Sequence, residues 1–416
     1  MKQYLEMNDS GDLRIGRIPE SWTVLKGKFF LKLHGGGKVY PPNDKNDQKN
    51  FFKVEDLNHA NDDMILNDSE LHISKFSKII PGPLILIPKR GAAIHTNKVV
   101  ITQQDCSFDS NIMGISIKKF NLKYFAYFLL FRKLGDIADT STIPQLNNKH
   151  IYPLKFPIPP IIEQDHIVSY LDKKLKIIDG EILKNLKLIM MLQEKRISEI
   201  NHAVTRGLNP TVQIKNSWIG DIPEYWNLKK VKFITKIIYG KSLPDEKRII
   251  GDVPVYGSNG IIGYHNESIS ASNTIIIGRK GSVGEINYSK EPCFPMDTAY
   301  YIDKNSTDHN LEWIFYALQF LGLKELNKDS VVPGLSREEV YNLKLPISEK
   351  EEKQIEEEKQ IADYLNERTK KIDSLILKIE LQITNLQEFK QSLISSAVTG
   401  KIKVTQAWFL NNFLTI

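Results

Sequence analysis

Residues 15–22 read IGRIPESW, and residues 219–226 read IGDIPEYW. The second string repeats the first at an offset of 204, and working outward from this pair shows that the chain is written twice. PQLNNKHIYPLKFP at 144–157 returns as PGLSREEVYNLKLP at 333–346, an offset of 189. YLDKKLKIID at 170–179 returns as YLNERTKKID at 364–373, and that offset of 194 still holds at AVTRG (203–207) against AVTGK (397–401). The middle of each half diverges, yet Cys106-Ser107-Phe108-Asp109 echoes Cys293-Phe294-Pro295-Met296-Asp297 with a one-residue slip. A period of about 200 residues is too long for a solenoid. The repeat is a two-part unit, a variable domain followed by a long helix.

The helical parts are marked by apolar residues in steps of three and four. The first copy gives Leu171, Leu175, Ile178, Ile182, Leu186, Ile189 and Leu192; the second gives Ile361, Leu365, Ile372, Ile376, Ile379, Ile383, Leu386, Leu393 and Ala397. Lys173, Lys174, Lys184, Glu367, Lys370 and Lys371 occupy the other faces. Each helix of roughly 40 residues extends about 60 Å at about 1.5 Å per residue. One apolar stripe of that length needs a partner stripe, and the other copy supplies it. The expected contact positions are Leu171, Leu175, Ile178, Ile182 and Ile189 against Leu365, Ile372, Ile376, Ile379, Ile383 and Leu386. Pro157, Pro159 and Pro160 close the preceding domain and fix the helix entry.

The variable parts read as mixed α/β. β-rich runs at Leu84–Ile87 and Thr274–Ile277 are bounded by Gly, Pro and Asn, and helical stretches follow at 121–134 and 310–325. The expected class is α+β: two mixed α/β domains alternating with two long helices that pair as an antiparallel coiled coil, in a pseudo-two-fold repeat. The expected partition is a first domain at 1–156, a first helix at 157–207, a linker and second domain at 208–346, a second helix at 347–403 and a tail at 404–416.

Composition is that of a globular protein: 416 residues, 41% hydrophobic and 25% charged. A formal net charge of +6 is compatible with a polyanionic partner. Cys106 and Cys293 lie far apart without metal-ligand spacing, which argues against a zinc ribbon or a disulfide framework and favours a reducing compartment. MKQYLEMNDSGDLRIG has no apolar core of a signal peptide, and no run of about 18 apolar residues occurs, so a cytoplasmic protein with no membrane partner is expected.

Catalytic motifs are missing. Gly240-Lys241-Ser242 has Thr235 where a P-loop needs its first glycine, and the glycines of Gly278 to Gly284 do not fit the dinucleotide fingerprint. Tyr40-Pro41-Pro42-Asn43 runs opposite to the amino-methyltransferase Asn/Asp-Pro-Pro-Tyr/Phe motif, and the nine histidines form no His-Glu-x-x-His pair. Nuclease-like Glu-x-Lys triplets fall in the charge run leading into the second helix, where a solvated helix face is the simpler reading. No catalytic residue and no metal ligand is expected.

The ordered motifs resemble the specificity subunits of type I restriction-modification systems. The resemblance rests on Ile-Pro-x-x-Trp twice (Ile18 to Trp22, Ile222 to Trp226) and on the Pro-rich Pro157 to Gln164 entering a helix. Tyr364-Leu365 with Lys371-Ile372-Asp373, and Ala-Val-Thr at 203–205 and 397–399, add to it. So does Val253 to Tyr264, which looks like a common target-recognition sequence; together these motifs cover almost the whole chain. The resemblance implies two target-recognition domains, each reading half of a split double-stranded DNA sequence, with the helices setting the gap. It further implies docking of two methyltransferase subunits that bind S-adenosylmethionine, no cofactor in this chain, and motor-nuclease subunits in a complete restriction complex. The N-terminal MNDSGDLRIGRIPESW resembles the inter-repeat KNSWIGDIPEYW, as a pseudo-cyclic arrangement requires. Two departures stand out: an acidic insertion at Glu349 to Glu358, and a tail beyond Lys403, with Trp408, Phe409 and Phe413, that has no counterpart in the first half.

Within the variable domains, Lys89-Arg90-Gly91 and Arg279-Lys280-Gly281 each follow a β-rich run, where such loops present cations and N–H groups to phosphates or an arginine fork to guanine. These are the leading DNA-contact candidates, an ordinary solvated hairpin tip being the alternative. Lys98, Lys241, Ser258, Asn259 and Tyr264 join them, and Gly35 to Lys38 forms a further basic loop. Trp22 and Trp226 are expected as core anchors, and Asp109 and Asp297 as turn or cap residues. A self-contained restriction-methylation enzyme would methylate DNA without a partner. A protein-binding scaffold would lack salt-dependent DNA binding.

Overall fold

The computed structural model describes residues 4–43, 48–61, 63–139, 142–327, 334–349 and 351–404. The tail residues Trp408, Phe409 and Phe413 lie outside these. The chain forms two compact units. One comprises residues 1–185 with 381–416, the other 186–380. Each unit takes part of each long helix.

Seven strands build the body of each unit. In the first they are β1 (Leu31–Gly35), β2 (Gln48–Phe52), β3 (His72–Ser74), β4 (Leu84–Pro88), β5 (Val100–Thr102), β6 (Cys106–Phe108) and β7 (Ile112–Ile117). In the second they are β8 (Ile238–Tyr239), β9 (Val253–Gly257), β10 (Gly260–His265), β11 (Thr274–Gly278), β12 (Ile286–Ser289), β13 (Phe294–Pro295) and β14 (Ala299–Ile302). A four-stranded antiparallel sheet has the order β1-β7-β4-β5 in one unit and β8-β14-β11-β12 in the other. A three-stranded sheet has the order β3-β2-β6 and, correspondingly, β10-β9-β13, with β6 and β13 each added parallel. Each strand therefore matches the one seven places later. The slipped cysteine motifs are this parallel third strand.

The central strands are buried along their whole length, because both faces are covered. With side chains alternating along a strand, Ile85 and Ile87 join the large core on the helical side, while Leu84 and Leu86 pack with Phe52, Cys106 and Phe108 under the small sheet. The second unit repeats this, with Ile275 and Ile277 on the helical side and Ile276 beside Tyr256 and Cys293. Burial pushes the Cys106 thiol up to about 12 and raises that of Cys293 as well.

Four helices complete the frame: α1 (Leu122–Arg132), α2 (Ile161–Arg206), α3 (Leu311–Phe320) and α4 (Glu351–Val398). α1 and α3 start alike. The Asn121 side chain accepts from Tyr124 N–H, and that of Asn310 from Trp313 N–H, satisfying a donor that the first turn leaves open. α2 begins directly after Pro160, whose carbonyl accepts from Glu163 and Gln164 N–H. Gly207 and Gly400, at φ +68° and +69°, follow the two long helices.

α2 and α4 run antiparallel. In the first unit Lys390 Nζ binds Asp179 at 2.7 Å; in the second Arg196 Nε donates to Asp373 at 3.1 Å and Tyr364 donates to Glu199 at 2.8 Å. At the offset of 194, Asp179 matches Asp373 and Lys390 matches Arg196. The same pair recurs with the helices exchanged. Leu171, Leu175, Ile178, Leu365, Ile372 and Ile379 are buried, as the stripe predicts. Ile182, Ile189, Ile376, Ile383 and Leu386 are half-buried. Leu186, placed on the stripe by periodicity, is instead exposed.

The predicted acidic insertion is shorter than the sequence suggests. Glu357 and Glu358 are the counterparts of Glu163 and Gln164: Tyr4 and Trp22 bond Glu163 as Tyr225 bonds Glu357. Asn121 N–H donates to Gln164 as Asn310 N–H does to Glu358. Glu358 is also no solvated charge, being 3% exposed with His309 Nδ1 at 2.7 Å from its Oε1. The additional residues lengthen α4 at its N-terminus.

Trp22 and Trp226 are core residues. Trp22 packs beside Gly400 at the end of α4, and Trp226 beside Gly207 at the end of α2. The N-terminal hairpin Met7–Asp9/Arg17–Pro19 thus meets α4 as the hairpin Ile214–Ser217/Gly220–Pro223 meets α2, and Lys401 donates to the Arg17 carbonyl.

Candidate nucleic-acid interface

In the second unit, the segment Pro295–Thr298 gathers most of the predicted residues at one edge. Lys241 N–H donates to Pro295 O at 3.0 Å; Arg279 and Lys280 N–H both donate to Thr298 O, at 2.9 and 3.1 Å. Ser282 N–H reaches Ser258 Oγ at 3.4 Å, which ties the loop after β11 to the β9–β10 hairpin tip carrying Ser258 and Asn259. Lys241, Asn259 and Lys280 are exposed, Ser258 and Arg279 half-buried. Tyr264 is exposed but lies near the far end of β10, opposite Pro254.

The first unit builds the same edge around Phe108–Asn111. Lys89 N–H donates to Asn111 O at 2.6 Å, Gly91 N–H donates to Pro144 O at 3.0 Å, and Arg90 bridges to Gln145. Lys98 closes the same connection just before β5. Leu146 N–H donates to Lys89 O as Leu335 N–H donates to Arg279 O, both at 2.9 Å. Because Leu146 and Leu335 are the same repeat position, Lys89 and Arg279 are structural equivalents. Asp109 is a turn residue, accepting from Asn111 N–H at 2.7 Å.

A close backbone approach fixes both edges. A Cβ on Gly36 would stand 2.2 Å from Phe108 O, and one on Gly240 2.0 Å from Met296 O. Glycine is required there because the strand leaving the sheet crosses directly over the edge segment.

Among the described residues, most arginines are neutralised by a carboxylate, whereas the edge cations, like Arg17, Arg337 and many lysines, are not. Arg14, Arg132, Arg196, Arg206, Arg248 and Arg368 each pair with a carboxylate. Among the described residues, no carboxylate pairs with Lys89, Arg90, Lys98, Lys241, Arg279 or Lys280. Their charge remains available to a polyanion.

One feature of the edge has no sequence signal. The Arg279 guanidinium lies 5.0 Å from the Tyr239 ring centroid and 5.7 Å from that of Tyr300, and Arg337 lies 4.8 Å from Tyr239. These residues are dispersed in the sequence; strand register pairs Tyr239 with Tyr300, and the short helix Arg337–Asn342 brings Arg337 to them. Among the described residues no group of His, Cys, Asp or Glu is arranged to hold a metal ion. None of the described helices is long and apolar enough to cross a membrane.

A duplicated α/β unit with a basic edge in each copy, and with antiparallel helices paired inside each unit, is the architecture of a protein with two equivalent binding modules. The sequence profile described as type I restriction modification DNA specificity domain matches it twice, over residues 19–189 and 223–385. The chain belongs to this family: it is a type I restriction-modification specificity subunit with two DNA specificity domains and a non-catalytic, DNA-recognising role. It is 24% identical over 438 residues to a putative type I restriction enzyme MjaX specificity subunit from Methanocaldococcus jannaschii, covering 97% of this chain and 98% of the relative. The MjaVIII specificity subunit of the same organism is 23% identical, with 93% and 94% covered. A solved chain from work on assembly and conformational transition of a type I system shares the fold at a TM-score of 0.71 and 13% identity, covering 92% of this chain and 99% of that one. The HsdS subunit from Thermoanaerobacter tengcongensis aligns at a TM-score of 0.51 and 14% identity, covering 92% and 98%.

Proposed function

We propose that each unit reads one half of a split double-stranded DNA sequence, with Lys89, Arg90 and Lys98 at the first edge and Lys241, Ser258, Asn259, Arg279 and Lys280 at the second, and with Tyr264 contacting DNA from the far end of β10. The observation that carries this reading is the pair of cations Lys89-Arg90 and Arg279-Lys280, which stand at the same position in both units and are tied by the same backbone bond to Leu146 and Leu335. Residues 1–156 and 208–346 act as recognition domains, and 157–207 and 347–403 as the spacer helices that set the unread gap. Because helix length fixes the spacing, adding or deleting helical turns is expected to change the unread gap rather than the half-sites.

Two methyltransferase subunits dock on this frame and supply S-adenosylmethionine-dependent adenine methylation; motor-nuclease subunits complete a restriction complex. Apolar side chains left exposed on the long helices support such docking: Ile177, Leu183 and Phe389 in the first unit, Leu186, Met190 and Leu377 in the second. Coexpression with the genomically adjacent methyltransferase, followed by mapping of methylated adenines, tests the reading. A split motif with a fixed gap is the expected result. Complex formation without a bipartite motif would refute it.

A further inference from the structure

We infer that Arg279 is the base-reading residue of the second unit and that its target is a guanine in the half-site which that unit reads. This rests on the DNA-reading role proposed above and assigns the chemistry of one contact within it.

The argument starts from how the side chain is held. Arg279 is the position equivalent to Lys89, yet its surroundings differ. Tyr239 and Tyr300 pair across β8 and β14, with ring centroids 5.0 Å apart at 67°, and the guanidinium lies over both rings. Nη1 donates to the Asp297 carbonyl at 3.2 Å. Arg337 lies over Tyr239 from α-helical residues Arg337–Asn342 and over Tyr341 at 5.6 Å. Glu338 lines the same hollow of about 350 Å³ without pairing Arg279. The guanidinium is thus held by cation–π contacts to two rings and by one backbone acceptor, while its remaining N–H donors have no carboxylate partner among the described residues.

A phosphate contact needs a cation and little orientation, which exposed Lys280 next door already supplies. A planar fork with fixed orientation suits two acceptors in one plane, and the O6 and N7 of guanine in the major groove are such a pair. In the first unit the strand register places Gly35 where Tyr239 stands and Met113 where Tyr300 stands. Among the described residues no aromatic clamp forms there, so the two half-sites are read by different chemistry.

The test uses the chain in complex with its methyltransferase partner. Wild type, Arg279→Lys and Lys280→Ala are compared by mapping methylated adenines. With Arg279→Lys, one guanine position in one half of the motif is expected to become degenerate by about tenfold or more, with the other half unchanged; Lys280→Ala is expected to weaken binding across sequences with a shallower salt dependence and without a change of base preference. Should Arg279→Lys fail to assemble, the wild-type complex is titrated with duplexes in which each guanine of the motif is replaced singly by 7-deazaguanine, which lacks the N7 acceptor. About tenfold weaker binding at one position, confined to one half, supports the inference. An unchanged motif in Arg279→Lys, or a uniform loss of affinity with a shallower salt dependence, overturns it in favour of a phosphate contact and leaves the DNA-reading role intact. A wild-type complex that methylates no split motif removes that role and this inference together.

Discussion

The helix pair and the basic edges respond to duplication in opposite ways. Along the helices, Asp179–Lys390 in the first unit and Asp373–Arg196 in the second occupy the same positions with the same charge pattern. At the edges, Lys89 and Arg279 also share a position, but one emerges beside Gly35 and Met113 and the other between two tyrosines. Both copies must pack on one another's helix, so substitutions there meet close-packed neighbours in each unit. Away from Gly36 and Gly240, the edge loops are held mainly by backbone hydrogen bonds, which most side chains permit. Change accumulates where the backbone carries the architecture, and that is where specificity can be altered without cost to the fold.

The comparison can be broken most forcefully in the helix core. Leu171 and Leu365 are equivalent positions, each 0% exposed. Truncation of either to alanine is expected to cost about 2–5 kcal/mol, and by a similar amount, in chemical-denaturation measurements. A loss at one site alone would show that the units are not energetic equivalents. Next in size, Gly36→Val and Gly240→Val force a Cβ against backbone oxygen and should each destabilise by about 1–3 kcal/mol, read as lowered melting temperatures. A tolerated Gly240→Val would mean that the second edge can relax where the first cannot.

Smaller effects sharpen the comparison. Double-mutant cycles on Asp179–Lys390 and Asp373–Arg196 should give coupling of about 0.5 kcal/mol each, falling with added salt because the side chains are partly exposed. The Asp373 pair is expected to be the weaker, its carboxylate being half-exposed. The smallest readout is chemical. Burial raises both thiols, so Cys106 and Cys293 should resist alkylation in the native protein at neutral pH and react on unfolding. Rapid labelling of Cys293 alone would reveal a looser small sheet in the second unit.

The sequence by itself determined the duplication, the long amphipathic helices, the central apolar strands, the core role of both Pro-x-x-Trp tryptophans and the loops that carry the basic residues. Each is written as a short-range pattern: periodicity, a repeated string, or a run between turn residues. Only the tertiary structure decided that Leu186 faces outward, that Glu358 is buried against His309, and that Tyr239, Tyr300 and Arg337 converge on Arg279. Helical periodicity is symmetric about its stripe and cannot say where along a 46-residue helix the stripe loses its cover. The aromatic clamp depends on strand register, which joins residues about 60 positions apart through backbone pairing and leaves no trace in local spacing.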